Sequence, residues 1–400
     1  MKRSFLLYFL FTLIGILFLG RLFQLQVIRG KDYNPVKNSA VKVKFDLPER
    51  GYIYDRNGEL LVANQLSYDV TIVPNEVTPL DTIEFCSLLK ISKENFIKRF
   101  KKAENYAPWL ESVFLKQLAK EDFAFLQEKL HKFQGFNIQK RVIRNYPIKS
   151  AANILGYINE VNELVAKKDN YYQQGELIGK AGVEAQYEKV LRGKKGKKYF
   201  RRDRFNKIKG PFKNGIYDSI AVNGKDITLT IDSKLQQYGE YLMKGKRGGI
   251  IALEPSSGEI LALVTSPSYD PNMMVGRLRS PNSVKLIGDS INKPMYDRGL
   301  KGTYPPGSPF KLVNALIGLQ EDVIDENTHF FCNGGYRYGN RKKEFMKCHC
   351  DIYGKPIQLN SAISKSCNSY FANTYKRIIE KNKNSTSGMN TWSTHVKSFG

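Results

Sequence analysis

Apolar residues are concentrated at the start of the chain, ahead of two longer regions of mixed pattern. Residues 5–23 form a nearly continuous apolar run that follows Lys2 and Arg3. A helix needs roughly 20 apolar residues to cross a bilayer. A cleaved signal is the alternative, but no small-residue cleavage site follows the run. We therefore predict a single transmembrane anchor over residues 1–25. The bulk of the chain is then expected on the outer side of the cytoplasmic membrane.

The first mixed region begins with a hairpin pattern and continues with helical periodicity. Apolar residues on either side of Asn57-Gly58 predict a strand, a tight turn and a second strand, because Asn-Gly is a strong hairpin signal. Residues 82–102 and 113–132 repeat apolar positions with the period of helices. This region is predicted to form an elongated module over residues 26–220.

The second mixed region predicts a different module over residues 221–400. Residues 226–232 alternate as a strand, and residues 234–244 have a helical pattern. Two apolar strands joined by a Pro-Ser-Ser-Gly turn follow within residues 248–267, and a long apolar helix comes later. Helices and strands in this order predict the α+β class.

Composition narrows the classes of partner. The 400-residue chain is 42% hydrophobic and 25% charged, which is typical of a folded protein, but its formal net charge is +25. Such a surface attracts anions: nucleic acid, acidic lipid headgroups or an anionic substrate. No zinc-finger, ribonucleoprotein or basic-zipper pattern is present, so nucleic acid is not an expected partner.

A candidate nucleophile lies in the string Y-P-P-G-S-P-F-K. Ser308 and Lys311 are three residues apart, which places both side chains on one face of a helix. A serine needs a base to become a nucleophile, and a lysine serves as that base when burial lowers its pKa. The same spacing occurs at Ser290–Lys293. Only Ser308 opens a long apolar helix after a Pro-Gly turn, where the helix N-terminus favours developing negative charge.

A second candidate motif is Ser366-Cys367-Asn368, between two helical runs and 58 positions after Ser308. The Ser366 hydroxyl can relay a proton, and the Asn368 amide can hold a substrate peptide. Helix capping by Ser366 and Asn368 is the alternative. The four histidines lie in no nucleophile-elbow or metal motif.

Five cysteines are present, and three of them fall within one stretch of nineteen residues. Cys332 could form a disulfide with Cys348 or Cys350 in an oxidising compartment. A zinc site that includes His349 is conceivable, but Cys-x-Cys is not the usual zinc-ligand spacing. Disulfides or free thiols are favoured, and no metal or cofactor is expected.

Together these strings resemble the class B penicillin-binding proteins, in particular the elongation-type subgroup called penicillin-binding protein two. R-G-Y-I-Y-D-R-N-G-E-L-L-V-A-N is similar to the family's pedestal motif, with Arg50, Gly51, Asp55, Arg56 and Gly58 as its characteristic residues. Residues 146–157 and 179–193 resemble two further pedestal signatures. The Ser308 and Ser366 strings resemble two of the three active-site motifs.

The resemblance implies a pedestal or dimerisation-type domain followed by a partial serine β-lactamase/transpeptidase-like domain. It implies a penicillin-reactive peptidoglycan D,D-transpeptidase for cell-wall elongation and cell shape. Ser308 would form the acyl-enzyme, Lys311 would act as base, Ser366 would relay protons and Asn368 would bind substrate. Expected partners are stem peptides, β-lactam antibiotics, a SEDS-type membrane glycosyltransferase and other elongation-complex proteins.

One family motif has no match. The third active-site motif, Lys-Thr-Gly or Lys-Ser-Gly, is absent, so we expect a chain that is truncated before it. Two alternatives stay open. The chain could be a catalytically inactive scaffold that binds and activates a membrane glycosyltransferase, or a D,D-carboxypeptidase or β-lactam hydrolase in which water replaces the acceptor amine.

Overall fold

A computed structural model of the chain describes residues 3–28, 40–118, 120–203, 208–381 and 384–400. The contacts divide the chain into two units, Met1–Gly302 and Thr303–Gly400. Parts of the predicted pedestal, such as residues 29–39, lie outside the described residues. Both units combine helices with mostly antiparallel strands, and the α+β prediction is confirmed.

The first unit contains eleven α-helices and twelve strands among the described residues. The helices are α1 Arg3–Phe23, α2 Thr82–Leu89, α3 Lys93–Tyr106, α4 Lys120–Lys129, α5 Ala152–Leu155, α6 Glu163–Lys168, α7 Gly182–Gln186, α8 Glu188–Leu191, α9 Ser233–Leu242, α10 Arg279–Gly288 and α11 Arg298–Lys301. The strands are β1 Val41–Asp46, β2 Ile53–Tyr54, β3 Leu60–Ile72, β4 Ser112–Leu118, β5 Phe136–Asn145, β6 Ile158–Glu160, β7 Leu177–Gly179, β8 Gly196–Arg202, β9 Ile208–Pro211, β10 Ile227–Thr228, β11 Gly248–Leu253 and β12 Ile260–Ser266.

The long strand β3 organises the first unit. It pairs antiparallel with β2, β4 and β5, and the short β10 joins the other edge of β2 in parallel. The aromatic core formed by Phe85, Phe96, Phe114 and Phe136 packs α2 and α3 against this sheet. The predicted hairpin is confirmed, and Gly58 supplies the positive φ of 83° that its turn requires.

The periodicity of residues 82–102 is confirmed by α2 and α3, whereas the helix predicted over residues 113–132 is only partly present. Residues 112–118 form β4, and helix α4 begins at Lys120. Apolar side chains at Phe114, Leu115 and Leu118 fit a helical repeat as well as a buried strand. Pairing with β3 decided between the two, because it satisfies the strand's backbone groups and buries these side chains.

Asp55 ties the hairpin to helix α9. Its carboxylate accepts the backbone N–H groups of Asn57 and Glu59 at 2.8 Å and of Ser233 at 3.1 Å. Burial alone would raise the pKa of this carboxyl, but the hydrogen bonds from Ser233, Glu59 and Asn57 hold it below its usual range. Asp55 therefore holds the pedestal motif against the chain that follows residue 230.

The other pedestal-motif residues also make internal contacts. A Cβ on Gly51 would lie 2.0 Å from the carbonyl oxygen of Lys225, so only glycine fits there. The backbone N–H of Arg56 donates to Ile231, and its side chain lies 3.4 Å from Glu259.

Arg50 belongs to a buried ion network that sequence reasoning did not find. Its guanidinium pairs with Glu184 at 2.6 Å and also with Glu188. Glu184 accepts a second guanidinium, that of the fully buried Arg144, at 2.7 Å. Arg144 in turn donates to Asn64 on β3. The network joins the pedestal motif to α7, α8 and β5, and a charge removed from it leaves its partners buried with less opposite charge around them.

Helix α1, which runs from Arg3 to Phe23, covers most of the transmembrane anchor predicted over residues 1–25. Among the described residues, no helix is both long and apolar enough to cross a membrane.

The second unit contains α12 Phe310–Gln320, β13 His329–Asn333, β14 Gly335–Arg337, β15 Phe345–Lys347, β16 Tyr353–Gln358, α13 Leu359–Ser364, α14 Asn368–Glu380 and α15 Ser385–Ser398. Two small antiparallel hairpins, β13 with β16 and β14 with β15, lie in the same unit as the helices. Its core joins α12, α13 and α14 through Ala315, Ala362, Tyr370 and Phe371. The predicted nucleophile helix is thus present as α12.

We predict that Glu184→Ala destabilises the first unit by about 3–5 kcal/mol, because it leaves Arg144 and Arg50 charged without their shared partner. Thermal unfolding followed by circular dichroism measures the effect. Glu163→Ala is the matched control, since the Glu163–Lys167 pair is exposed and contributes at most about 1 kcal/mol. Equal unfolding temperatures for the two variants would contradict the role of the network.

Candidate active site and thiol cluster

Ser308 and Lys311 lie at the beginning of helix α12. Gly307 adopts a positive φ of 67°, which turns the chain into the helix. Pro309 has helical backbone angles at the N-cap, where its missing N–H loses no hydrogen bond. Ser308 is exposed just before the first turn, and the Lys311 side chain is half-buried within it. The sequence-based placement of both residues at a helix N-terminus agrees with this geometry.

Ser366 lies between Ser308 and Lys311. It occupies the turn from α13 to α14 with a φ of 51°, in the left-handed region that non-glycine residues seldom adopt. Its hydroxyl donates to Ser308 Oγ at 3.0 Å. Lys311 Nζ donates to the same hydroxyl at 2.9 Å and to the Ser366 carbonyl oxygen at 2.7 Å.

These distances bring the three residues predicted as catalytic into one hydrogen-bonded chain. The sequence predicted a direct contact from Lys311 to Ser308. Among the hydrogen bonds of the described residues, the connection passes through the Ser366 hydroxyl instead. When the lysine amine is neutral and both hydroxyls rotate, the same contacts can carry a proton from Ser308 to the amine through one intermediate oxygen.

The surroundings of Lys311 favour its neutral form. Burial of the ammonium lowers its pKa from the ordinary lysine value, while the neighbouring thiols of Cys348, Cys367 and Cys350 act in the opposite direction. A lysine with a lowered pKa holds more free amine at a given pH. Lys311 therefore has the electrostatic setting that a general base needs.

Asn368 lies at the edge of an open cleft of about 540 Å³. Its side-chain amide donates to the Lys347 carbonyl oxygen at 2.9 Å, which fixes the orientation of the side chain. The cleft is lined by Lys311 and Asn368 together with Tyr336, Tyr338, Met346 and Phe371. A peptide-sized ligand that enters this cleft meets the Lys311 amine, the Asn368 amide and several aromatic rings.

Four cysteines form a compact cluster beneath this site. The Sγ atoms of Cys332, Cys348, Cys350 and Cys367 all lie within 4.8 Å of one another. The shorter separations are 3.1 Å for Cys348–Cys350, 3.4 Å for Cys350–Cys332 and 3.7 Å for Cys348–Cys367. A disulfide bond is about 2.05 Å long, and all five cysteines of the chain are free thiols.

The cluster fits a tetrahedral thiolate metal site. Metal–sulfur bonds of about 2.3 Å to zinc give a tetrahedron with edges of about 3.8 Å. Burial opposes ionisation of Cys348, but hydrogen bonds from Cys350, Ser369 and Asn368 lower its pKa to about 6. Burial and the neighbouring thiols raise the pKa of Cys350 to about 11. One thiolate is thus already favoured, and a bound cation would favour the others.

Sequence reasoning expected no metal and missed the fourth member of the cluster. It considered His349, which is exposed and lies outside the cluster. The fourth member of the cluster is Cys367, because the turn after α13 brings its side chain next to the other three thiols. The available signal was the cysteine at the middle of the Ser366–Asn368 motif, but spacing along the chain does not reveal it.

The fold and the site define a penicillin-binding protein that joins a pedestal to a serine transpeptidase-type domain. Residues 45–229 match the penicillin-binding protein dimerisation domain, and residues 248–400 match the penicillin-binding protein transpeptidase domain. The chain belongs to the penicillin-binding proteins with this two-domain organisation.

Two individual relatives carry the same name. The chain is 33% identical over 88% of its length to the peptidoglycan D,D-transpeptidase MrdA of Acinetobacter baumannii, covering 51% of that protein. It is 30% identical over 90% of its length to MrdA of Escherichia coli, covering 57% of it. It thus spans about half the length of the curated relatives it matches.

A solved structure shows the same architecture. The complex between penicillin-binding protein PBP2 and MreC from Helicobacter pylori matches with a TM-score of 0.70 at 26% sequence identity. The match covers 85% of this chain and 63% of that one. The agreement extends the family assignment from sequence to three-dimensional fold.

We predict that the purified protein contains about one zinc ion per chain and that Cys332→Ala or Cys367→Ala removes most of it, because three thiolates bind the metal far more weakly than four. Elemental analysis after dialysis measures the metal content. Cys86→Ala is the matched control, since Cys86 is a buried cysteine of the first unit outside the cluster. Equal zinc contents in the parent protein and all three variants would contradict a thiolate site.

Proposed function

We propose that this chain carries the acylating part of a peptidoglycan D,D-transpeptidase, which cross-links stem peptides through an ester on Ser308. One observation carries the proposal: the Ser366 hydroxyl hydrogen-bonds both Ser308 and Lys311, so a nucleophile, a relay and a base form one chain. Two relatives named peptidoglycan D,D-transpeptidase, each at least 30% identical, support the same reaction.

In the first half-reaction, Ser308 Oγ attacks the carbonyl carbon between the two terminal D-alanines of a stem peptide. Its proton passes to the Ser366 hydroxyl as the proton of that hydroxyl passes to the neutral amine of Lys311. The tetrahedral intermediate collapses, the peptide C–N bond breaks, and the same relay returns a proton to the departing D-alanine amine. The product is an acyl-serine ester.

In the second half-reaction, an amine of a neighbouring stem peptide attacks that ester. The Lys311 amine receives the proton of the attacking nitrogen through Ser366, and Ser308 leaves with a proton. A new amide then joins the two peptides. Asn368 would hold the donor peptide in the cleft, because it lines the same cleft as Lys311. A β-lactam would be attacked at its ring amide in the same way.

The location and partners are proposed from the chemistry of the substrate and from the neighbouring structure. Peptidoglycan is cross-linked outside the cytoplasmic membrane, which supports a location on its outer face. The Helicobacter pylori relative was solved in complex with MreC, which supports an MreC-type protein as a partner of this chain. A SEDS-type membrane glycosyltransferase is the other proposed partner, because glycan synthesis must supply the strands to be cross-linked.

We predict that a fluorescent penicillin labels the protein covalently and that Ser308→Ala abolishes the labelled band, since the ester forms on that oxygen. Denaturing gel electrophoresis with fluorescence detection measures it. Ser290→Ala is the matched control, because Ser290 has the same spacing to a lysine but belongs to the first unit and not to α12. Labelling that survives in Ser308→Ala would overturn the assignment of the nucleophile.

We predict that the rate of penicillin acylation rises with pH and reaches half its maximum below the ordinary lysine pKa of 10.5, because the neutral amine of Lys311 is the reactive form and burial lowers its pKa. Stopped labelling reactions across neutral and alkaline pH measure the profile. Lys311→Arg should label more than about 100-fold more slowly at every pH, since a guanidinium stays protonated. A flat pH profile in the parent protein would exclude Lys311 as the base.

A further inference from the structure

A basic cleft in the first unit, distant in sequence from the serine motifs, has the composition of an anion site. We infer that it binds a phosphate or diphosphate group. Its volume is about 390 Å³, and it lies among α3, β4 and the segment that leads into α10. Five cationic side chains line it: Arg99, Lys102, Lys116, Arg277 and Arg279.

The positive charge of this cleft is not balanced by the protein. Glu160 is the one carboxylate among the described residues that line it. That carboxylate is already shared, since it pairs with Lys116 at 2.5 Å and lies 3.8 Å from Arg279 and 3.7 Å from Arg141. Several cations therefore face the cleft without a counter-charge of their own.

Two of the three guanidinium groups, those of Arg99 and Arg277, are held in place by backbone carbonyls. Arg277 donates to the carbonyl oxygens of Leu89 and Lys90 at the end of α2, at 3.1 and 3.3 Å. Arg99 donates to Phe114 on β4 at 2.9 Å. Burial, and then the nearby charge of Arg277, lower the pKa of Arg99, which indicates that these two cations repel each other. An anion between them would relieve that repulsion.

Two further features favour an anion in the same cleft. The hydroxyl of Ser112 is buried and has no hydrogen-bond partner among the described residues, although buried hydroxyls are normally paired. Arg279 and Ser280 begin the ten-residue helix α10, whose dipole favours negative charge at this end. A tetrahedral oxyanion can accept from a hydroxyl and from guanidinium forks together.

Phosphate chemistry fits these features better than a carboxylate does. Arginine forks bind phosphate oxygens in pairs, and a dianion balances more of the excess charge than a single carboxylate. The volume leaves room for two linked phosphates. The group could belong to a soluble phosphate compound or to the headgroup of an anionic lipid, and the experiment separates these sources.

The test is isothermal titration of the full chain with inorganic diphosphate at fixed ionic strength. We expect one saturable site, and at least about tenfold weaker binding in the double variant Arg99→Gln/Arg277→Gln, because two of its charged donors are removed. The matched control is Lys101→Gln/Arg341→Gln, which lowers the net charge by the same amount at residues that do not line the cleft. The control should bind diphosphate as the parent protein does.

Three results would overturn the inference: no saturable binding, equal weakening in both double variants, or glutarate binding as tightly as diphosphate. The first result would show that the cleft has no specific site. The second would show that binding depends only on the net charge of +25, and the third that the cleft does not distinguish phosphate from carboxylate.

Flotation with phosphatidylglycerol and phosphatidylcholine vesicles then shows whether the phosphate belongs to a lipid or to a soluble compound. Weaker flotation of the Arg99→Gln/Arg277→Gln variant with the anionic vesicles alone supports a lipid headgroup, and unchanged flotation supports a soluble phosphate compound. Unfolding temperatures within about 2 °C of the parent protein show that either variant is folded.

Discussion

The left-handed turn at Ser366 is the constraint on which the candidate active site depends. A serine in this conformation costs about 1–3 kcal/mol unless its surroundings hold it there. The turn places one hydroxyl within hydrogen-bonding distance of both Ser308 and Lys311, which belong to a different helix. If Ser366 relaxed to an ordinary helical angle, its hydroxyl would no longer lie between the two, and the proton path would be broken.

The core beneath the turn supplies that support. Cys367 and Tyr370 are fully buried, and the Cys367 side chain accepts the N–H of Tyr370 at the beginning of α14. The backbone N–H of Asn368 donates to Cys348 on the neighbouring hairpin. The thiol cluster therefore contacts the same three-residue motif that contains Ser366 and Asn368. A metal held by these thiols would hold that motif in place.

The pedestal depends on electrostatics in a different way. Arg50, Glu184 and Arg144 are buried together, so their charges satisfy one another within the fold. The basic cleft differs, since Arg99 and Arg277 donate to backbone carbonyls and its one carboxylate, Glu160, is shared among several cations. One charge arrangement stabilises the fold, and the other leaves a local excess of positive charge for an external ligand.

The sequence by itself determined the features that depend on neighbouring residues along the chain. Spacing placed Ser308 and Lys311 on one helical turn, Asn57-Gly58 formed the predicted hairpin, and the order of the strings identified the family. Tertiary structure alone decided that residues 112–118 form a strand, that Ser366 lies between nucleophile and base, and that Cys367 completes a cluster with cysteines up to 35 positions away. Local propensity and spacing reflect interactions within a few residues, whereas pairing with β3 and contacts between α12, α14 and the hairpins exist only once distant segments pack together.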